Sequence, residues 1–312
     1  MPGNAKAASS IVPIEVTGTN KREKIKCITD RLEEGVRAVF SSDEYREYLD
    51  FLSRFHDYSF SNCILIKMQL PSASLVAGYG KKIKKHHRYV RPGEKGIKIL
   101  APTPYKRKEE KEVVDERGNK TKEEVEVLVP AFKIVHVFDV SQTEGEPLPT
   151  LGVDELVGTV EPFNAFMAAL ESVSPVPISY DAIRGSTHGY YDHVERRIVI
   201  KDGMSQLQTL KTGIHEVAHA VLHAWPEDTN LPPKDGPDKR TKEVQAESVA
   251  YVVCQHYGLD TSDYSFAYVA GWSRGKELPE LKESLGVIRQ AAHDLIAAID
   301  AKLGIQEQEV TA

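Results

Sequence analysis

The chain has 312 residues, 41% of them hydrophobic and 28% charged, which excludes wholesale disorder and exceeds what one small core requires. No apolar run approaches the roughly 20 residues that span a bilayer, which excludes a membrane-spanning helix. The formal charge of −6 divides unevenly: residues 1–150 hold 26 Lys plus Arg against 22 Asp plus Glu, net +4, and residues 151–312 hold 14 against 24, net −10. Opposite signs in the two halves suggest two domains with different partners, the first tolerant of a polyanion. The opening MPGNAKAASSIVPIEV lacks a charged leader followed by an apolar stretch, so the expectation is a cytoplasmic protein. Cys27, Cys63 and Cys254 are odd in number and widely spaced; they suit a reducing compartment and read as core thiols.

Residues 1–20 are small, polar and proline-containing, and read as a flexible tail. Apolar residues then recur at spacings of three and four, as in Ile25, Ile28, Leu32 and Val36, which predicts amphipathic helices over 21–40 and 42–55 and a third over 61–68. After Pro71 the pattern turns to short β-branched segments, LVAGYG, GIKILAP and EVEVLVPAFKIVHVFDV, which predict an antiparallel sheet. Residues 106–126, rich in Lys and Glu, read as a solvated hairpin. Gly and Pro in SQTEGEPLPTLG, residues 141–152, mark a seam between domains over 21–145 and 153–305. In the second, a helix is expected at 161–173, strands at 178–183 and 197–201, and a long helix at 205–224. A Pro-rich connection over 225–240 follows, then a helix over 241–257 and a closing pair around 264–274 and 278–303. The fold class is therefore α+β: helices and a small antiparallel sheet, followed by a mostly helical domain.

The strongest chemical signal is HEVAH, residues 215–219. Four residues apart on a helix, His215 and His219 project from one face and can both present a ring nitrogen to one tetrahedral Zn²⁺. Glu216 is placed to take a proton from a water whose pKa the ion lowers, the chemistry of metal-assisted amide hydrolysis. Leu207, Leu210, Ile214, Val217, Val221 and Leu222 supply the apolar stripe on which such a helix rides. The alternative is a buried helix whose histidines are merely hydrogen-bonded. His223 lies about 12 Å along the axis from His215, too far for the same ion. Leu222 and Trp225 stand where a metzincin requires Gly and His, so the third ligand comes from elsewhere.

The next predicted helix, TKEVQAESVAYVV, offers Glu243 and Glu247 one turn apart. Glu243 is assigned as the third ligand and Glu247 as an acid behind it that orients a ligand histidine; the alternative is a pair of solvated acids. Upstream, GYYDHVERRIVIK reads as a hairpin whose edge strand can hold an extended peptide by main-chain pairing, with Tyr190, Tyr191 and His193 either lining a cleft or packing. Tyr264, Tyr268 and Trp272 recur at four and read as core, although a tyrosine hydroxyl near the ion could stabilise an oxyanion.

From Lys81 to Lys98 there are six Lys, two Arg and one Glu, interleaved with Tyr79 and Tyr89. Phosphates could be neutralised there while bases stack on the rings; a solvated lysine-rich hairpin is the alternative. The candidate nucleic-acid contacts are Tyr79, Lys82, Lys84, Lys85, Arg88, Tyr89, Arg91 and Lys95.

HEVAHAVLHA followed by EVQAESVAYVV resembles the ImmA/IrrE metallopeptidases, minimal gluzincins that use two histidines and a glutamate. The stretch from YSFSNCILIK through GEKGIKILAP, with the later VFDVSQTEG, is similar to the N-terminal domain of ArdC antirestriction proteins. Together these resemblances span most of residues 22–303. They imply a single-stranded DNA-binding domain joined to a peptidase-like domain with one zinc per chain, carried by mobile elements such as conjugative plasmids. Two functions fit: a working zinc protease with an unidentified protein substrate, such as a regulator, or a DNA protector whose zinc is structural and which cleaves nothing.

Overall fold

Three helices open the described chain: α1 (Lys21–Val39), α2 (Ser42–Arg54) and α3 (Phe60–Gln69). The computed structural model describes residues 11–79, 87–114, 120–146, 160–226 and 231–305. Asn20 caps α1 by accepting from the Glu23 N–H, and the predicted stripe is the buried one, with Ile28, Leu32 and Val36 inward. Residues 11–19, expected as tail, instead lie against the body: the Val12 N–H donates to the Gln69 carbonyl at 3.0 Å, and Ile14 is buried. Residues 1–10 lie outside the described residues.

The sheet that follows has the order β1 (Val76–Gly78), β6 (Phe132–Asp139), β3 (Ile97–Pro102), antiparallel throughout as expected. Its β3 edge is closed by two side chains of α3. Asn62 exchanges two hydrogen bonds, both 3.0 Å, with the main chain of Leu100, and Gln69 exchanges two with Lys98, at 2.9 and 3.0 Å. Two amides thus imitate a neighbouring strand and satisfy groups that an open edge would expose. β4 (Tyr105–Val114) and β5 (Lys120–Val129) form a separate two-stranded ribbon, the predicted solvated hairpin, with Lys106–Glu126 and Lys108–Glu124 pairs at 2.9 Å.

Buried Asp139 ends β6 by accepting from the Ser74, Leu75 and Ser141 N–H groups at 2.8–3.0 Å, so the acid of VFDVSQTEG holds a turn. Beyond it, β7 (Thr143–Gly145) pairs with β2 (Arg88–Val90). Gly145 has φ 136°, and a Cβ there would stand 2.3 Å from the His87 carbonyl oxygen, so only glycine closes this pair. Of the expected seam at 141–152, residues 147–152 lie outside the described residues.

The second half begins with α4 (Val160–Val173) and a three-stranded sheet of order β8 (Ile178–Asp181), β10 (Arg197–Lys201), β9 (Gly189–Asp192). β10 runs antiparallel to β9, as the hairpin reading requires, and parallel to β8. Then come α5 (Gln206–His223), α6 (Lys239–His256), α7 (Val269–Ser273) and α8 (Leu278–Leu303). The helical unit expected at 264–274 shortens to α7. Among the described residues no helix is long and apolar enough to cross a membrane.

The halves share one apolar core, in which α2 lies on α6. Tyr45 and Ser248 hydroxyls meet at 2.7 Å, the Tyr251 hydroxyl donates to Asp50 at 2.5 Å, and the Phe40 and Trp272 rings lie 5.7 Å apart. Cys63 and Cys254 are buried, as core thiols should be, whereas Cys27 is half-buried.

Candidate metal centre

α5 and α6 build the site. Ser205 caps α5 by accepting from the Gln208 N–H, and the four-residue spacing then lines Lys211, His215 and His219 along one face. Asp238 caps α6 by accepting from the Thr241 N–H at 2.7 Å, which brings Glu243 out beside the histidines within the first turns. His215 Nε2 and His219 Nε2 lie 3.1 Å apart, and Glu243 Oε2 is 3.8 Å from the first and 3.6 Å from the second. A tetrahedral ion with bonds of about 2.0–2.1 Å separates its donor atoms by roughly 3.4 Å, so these three atoms fit one such ion. Two ring nitrogens and a carboxylate suit zinc and other first-row divalent cations.

Electrostatics match this use. Burial, with His219 adding, pushes His215 down to about 4, so it stays neutral with a free lone pair. Glu243, exposed on its cleft side, is held below the ordinary carboxylate range, chiefly by the His219 ring facing it. Glu216 is 8% exposed, and burial pushes it up to about 7, with Glu243 adding while His219 and the Tyr191 main chain oppose.

The free nitrogen of His219 meets His223: Nδ1 to Nδ1 is 3.0 Å, and His223 Nε2 lies 3.1 Å from Gln245 Oε1. The sequence reading placed Glu247 in this supporting position. Glu247 instead accepts from the Tyr268 hydroxyl and makes no hydrogen bond to either ligand histidine, because its turn of α6 faces the cleft and Tyr268. His223 is too far along the helix to be a ligand, as expected, yet its place one turn beyond His219 was the available signal for a support.

The cleft has a volume of about 380 Å³, with Lys211, Glu216, Glu247, Asp263 and Tyr264 in its walls. Lys211, buried one turn before His215, pairs with Asp263 at 2.5 Å and stands 5.4 Å from the Tyr264 ring centre; sequence reasoning passed it over. β9 forms one rim. The Lys201 N–H donates to the His188 carbonyl at 2.8 Å, so in the antiparallel register the main-chain groups of Gly189 and Tyr191 point to the free edge. A Cβ on Gly189 would fall 2.6 Å from Thr212 Cγ2, so the strand lies against α5 because this residue has no side chain. Beyond it, Tyr191 packs on His193, which stacks on Trp225 at 4.6 Å; Tyr190 is exposed. Trp272 is buried in the core, as read.

The expected nucleic-acid face divides. Tyr79 and Tyr89 are exposed, at 66% and 57%, and Tyr79 leans on Phe138 at 5.8 Å, a second ring that the sequence did not flag. Lys95 is exposed. Arg88 and Arg91 are turned inward instead: Arg88 donates to Thr143 at 2.8 and 3.0 Å, and Arg91 to Glu94 and to the Ser141 carbonyl, both at 2.7 Å. A guanidinium has five donors in a fixed fork, and these forks hold the turn to the strand behind it. Lys82, Lys84 and Lys85 lie outside the described residues.

Two crystal structures of the antirestriction ArdC protein from the R388 plasmid are similar to this chain. The metal-free one has a TM-score of 0.48 at 22% identity, covering 79% of this chain and 86% of its own. The Mn(II)-bound one has 0.49 at 18% identity, covering 90% and 98%. An uncharacterized protein of Bacillus anthracis is 27% identical over 92% of this chain and 53% of its own length, so the chain spans about half of that curated relative. Residues 20–138 match the family described as the N-terminal domain of anti-restriction factor ArdC.

Proposed function

We propose that the chain is an ArdC-like antirestriction protein of mobile elements, joining a single-stranded DNA-binding N-terminal half to a zinc-dependent, gluzincin-like peptide hydrolase. The observation that carries the enzymatic reading is the convergence of His215, His219 and Glu243 donor atoms within 3.1–3.8 Å, beside buried Glu216 and under the free edge of β9. The ArdC N-terminal match and the exposed Tyr79 and Tyr89 rings support the DNA reading. A zinc ion held by the three ligands supplies Lewis acidity toward a scissile carbonyl and toward water. Gly189 and Tyr191 on the rim strand pair with an extended peptide and present its amide bond to the cleft. Glu216 takes the proton of the attacking water and returns it to the leaving amine. Metal retention alone requires no buried acid at this position, which favours a catalyst over a purely structural site.

The test is Glu216→Gln in the zinc-loaded full chain, assayed for cleavage of an unfolded protein substrate and for protection of entering DNA from restriction in cells. Zinc content should be unchanged and cleavage should fall about 100-fold or more. If the parent cleaves nothing and protection survives the substitution, the protein is a non-proteolytic protector with a structural ion, and the hydrolase reading is wrong.

A further inference from the structure

Three more donor atoms converge where the two halves meet. His56 and Asp57 stand in the turn between α2 and α3, and His293 projects from α8, 237 residues away from His56. His56 Nδ1 and His293 Nδ1 are 3.3 Å apart, and Asp57 Oδ1 lies 3.6 Å from the first and 3.2 Å from the second. Bonds of about 2.1 Å place neighbouring donors roughly 3.0 Å apart in an octahedral shell and roughly 3.4 Å apart in a tetrahedral one. The triangle fits one face of such a shell and is nearer to equilateral than that of His215, His219 and Glu243.

Lone-pair accounting leads to the same place. A neutral imidazole carries one proton, so the Nδ1 to Nδ1 contact can use one hydrogen while two ring nitrogens and a carboxylate oxygen face each other. Asp57 Oδ1 is buried and accepts no hydrogen bond, although His293 stands close. A buried unmet acceptor is costly, and a single cation would satisfy all three lone pairs at once. The surroundings hold the cluster in place: the His256 ring lies edge-on to His56 at 4.9 Å with its own Nδ1 on the Ser53 carbonyl at 3.0 Å, and Arg289 donates to the His56 carbonyl at 3.5 Å.

We infer that His56, Asp57 and His293 form a second divalent-metal site, of the two-histidine, one-carboxylate kind, that binds first-row transition cations and clips the α2–α3 turn to α8. The clip joins the N-terminal helices to the C-terminal one and is independent of the centre on α5.

The decisive protein is the full chain carrying His215→Ala and His219→Ala, stripped with a chelator and titrated with Zn²⁺ or Co²⁺. This variant should still bind one equivalent of zinc, show cobalt d–d absorption and melt at a higher temperature with zinc than without. The parent should bind two equivalents. Adding Asp57→Asn or His293→Gln to the double variant should abolish binding and the zinc-dependent rise in Tm. A double variant that binds neither ion would overturn the proposal without mutation of the cluster itself, so misfolding of a cluster variant cannot mask the result. Cobalt absorption that persists after His293→Gln would overturn it equally.

Discussion

His219 Nδ1 lies 3.0 Å from His223 Nδ1, and His223 Nε2 lies 3.1 Å from Gln245 Oε1, so a row of hydrogen bonds runs from the candidate centre into the core. Its direction follows from the metal: if His219 Nε2 is the ligand atom, its proton sits on Nδ1, His223 must accept there and donate from Nε2, and the Gln245 oxygen ends the row. His223→Leu breaks the row while leaving all three ligands, and should weaken zinc binding about 10- to 100-fold, as measured by competition with a chromophoric chelator. Gln245→Leu should act in the same direction and more weakly. Unchanged affinity in both variants would mean that His219 needs no support from behind.

Metal-free protein should lose stability as pH falls from about 6.5 to 4. His56, His215 and His223 are each pushed down to about 4, mainly by burial, against about 6.5 in an unfolded chain. Above 6.5 both states are neutral and the full stability is present. Between the two values the unfolded chain binds protons that the folded chain refuses, so unfolding becomes easier as acid is added. Glu216, raised to about 7, works the other way because the folded chain takes up its proton first, so the net loss should be on the order of a few kcal/mol, read from urea midpoints in the presence of chelator, and His223→Gln should reduce it. A midpoint flat across this window would remove the case for buried neutral imidazoles.

How much of this was legible in advance depends on the range of the interaction involved. Helix α8 and the HEVAH helix follow from spacings of three and four, which are short-range patterns, whereas Glu243 was assigned from its place on the next predicted helix by likeness to other HExxH zinc sites. The choice between His223 and Glu247 behind the ligands turned on how α6 rotates against α5, which no local pattern encodes. Arg88 and Arg91 looked like phosphate contacts because charge is visible in sequence; Glu94 meets Arg91 locally, three residues on, whereas the acceptors on Thr143 and Ser141 become neighbours only when β7 pairs with β2. The edge closure of β3 by Asn62 and Gln69 is hidden for the same reason: an amide's partner is set by tertiary contact.

Gly189 sets the distance between the rim strand and α5. Its Cβ in an alanine variant would stand 2.6 Å from Thr212 Cγ2 and 3.0 Å from the Val199 carbonyl oxygen, so β9 or α5 must shift. Overpacking of this kind costs roughly 1–3 kcal/mol. Gly189→Ala should lower the urea midpoint accordingly and reduce hydrolysis more than zinc content. Thr212→Ser removes the methyl that a new Cβ would strike, so the double variant should recover much of both losses. Recovery is the informative outcome, because a general folding defect would not respond to a second substitution chosen by this contact.

On the nucleic-acid side the structure separates residues that sequence grouped together. Tyr79 is 66% exposed beside Phe138, and a base can stack on it without displacing a protein contact, whereas Arg91 already donates to Glu94 and Ser141. Base-on-ring stacking is worth about 1–3 kcal/mol by alanine substitution, or roughly 5- to 150-fold in affinity. Tyr79→Ala should weaken single-stranded DNA binding within that range and leave the dependence of log K on log salt unchanged, since no charge is lost. Lys95→Ala should reduce the salt slope instead, because an exposed ammonium acts through counterion release. Arg91→Ala should chiefly lower thermal stability, its guanidinium being engaged within the protein. Fluorescence anisotropy at several salt concentrations distinguishes the three, and a Tyr79→Ala variant with parental affinity would show that the exposed rings are not the stacking platform.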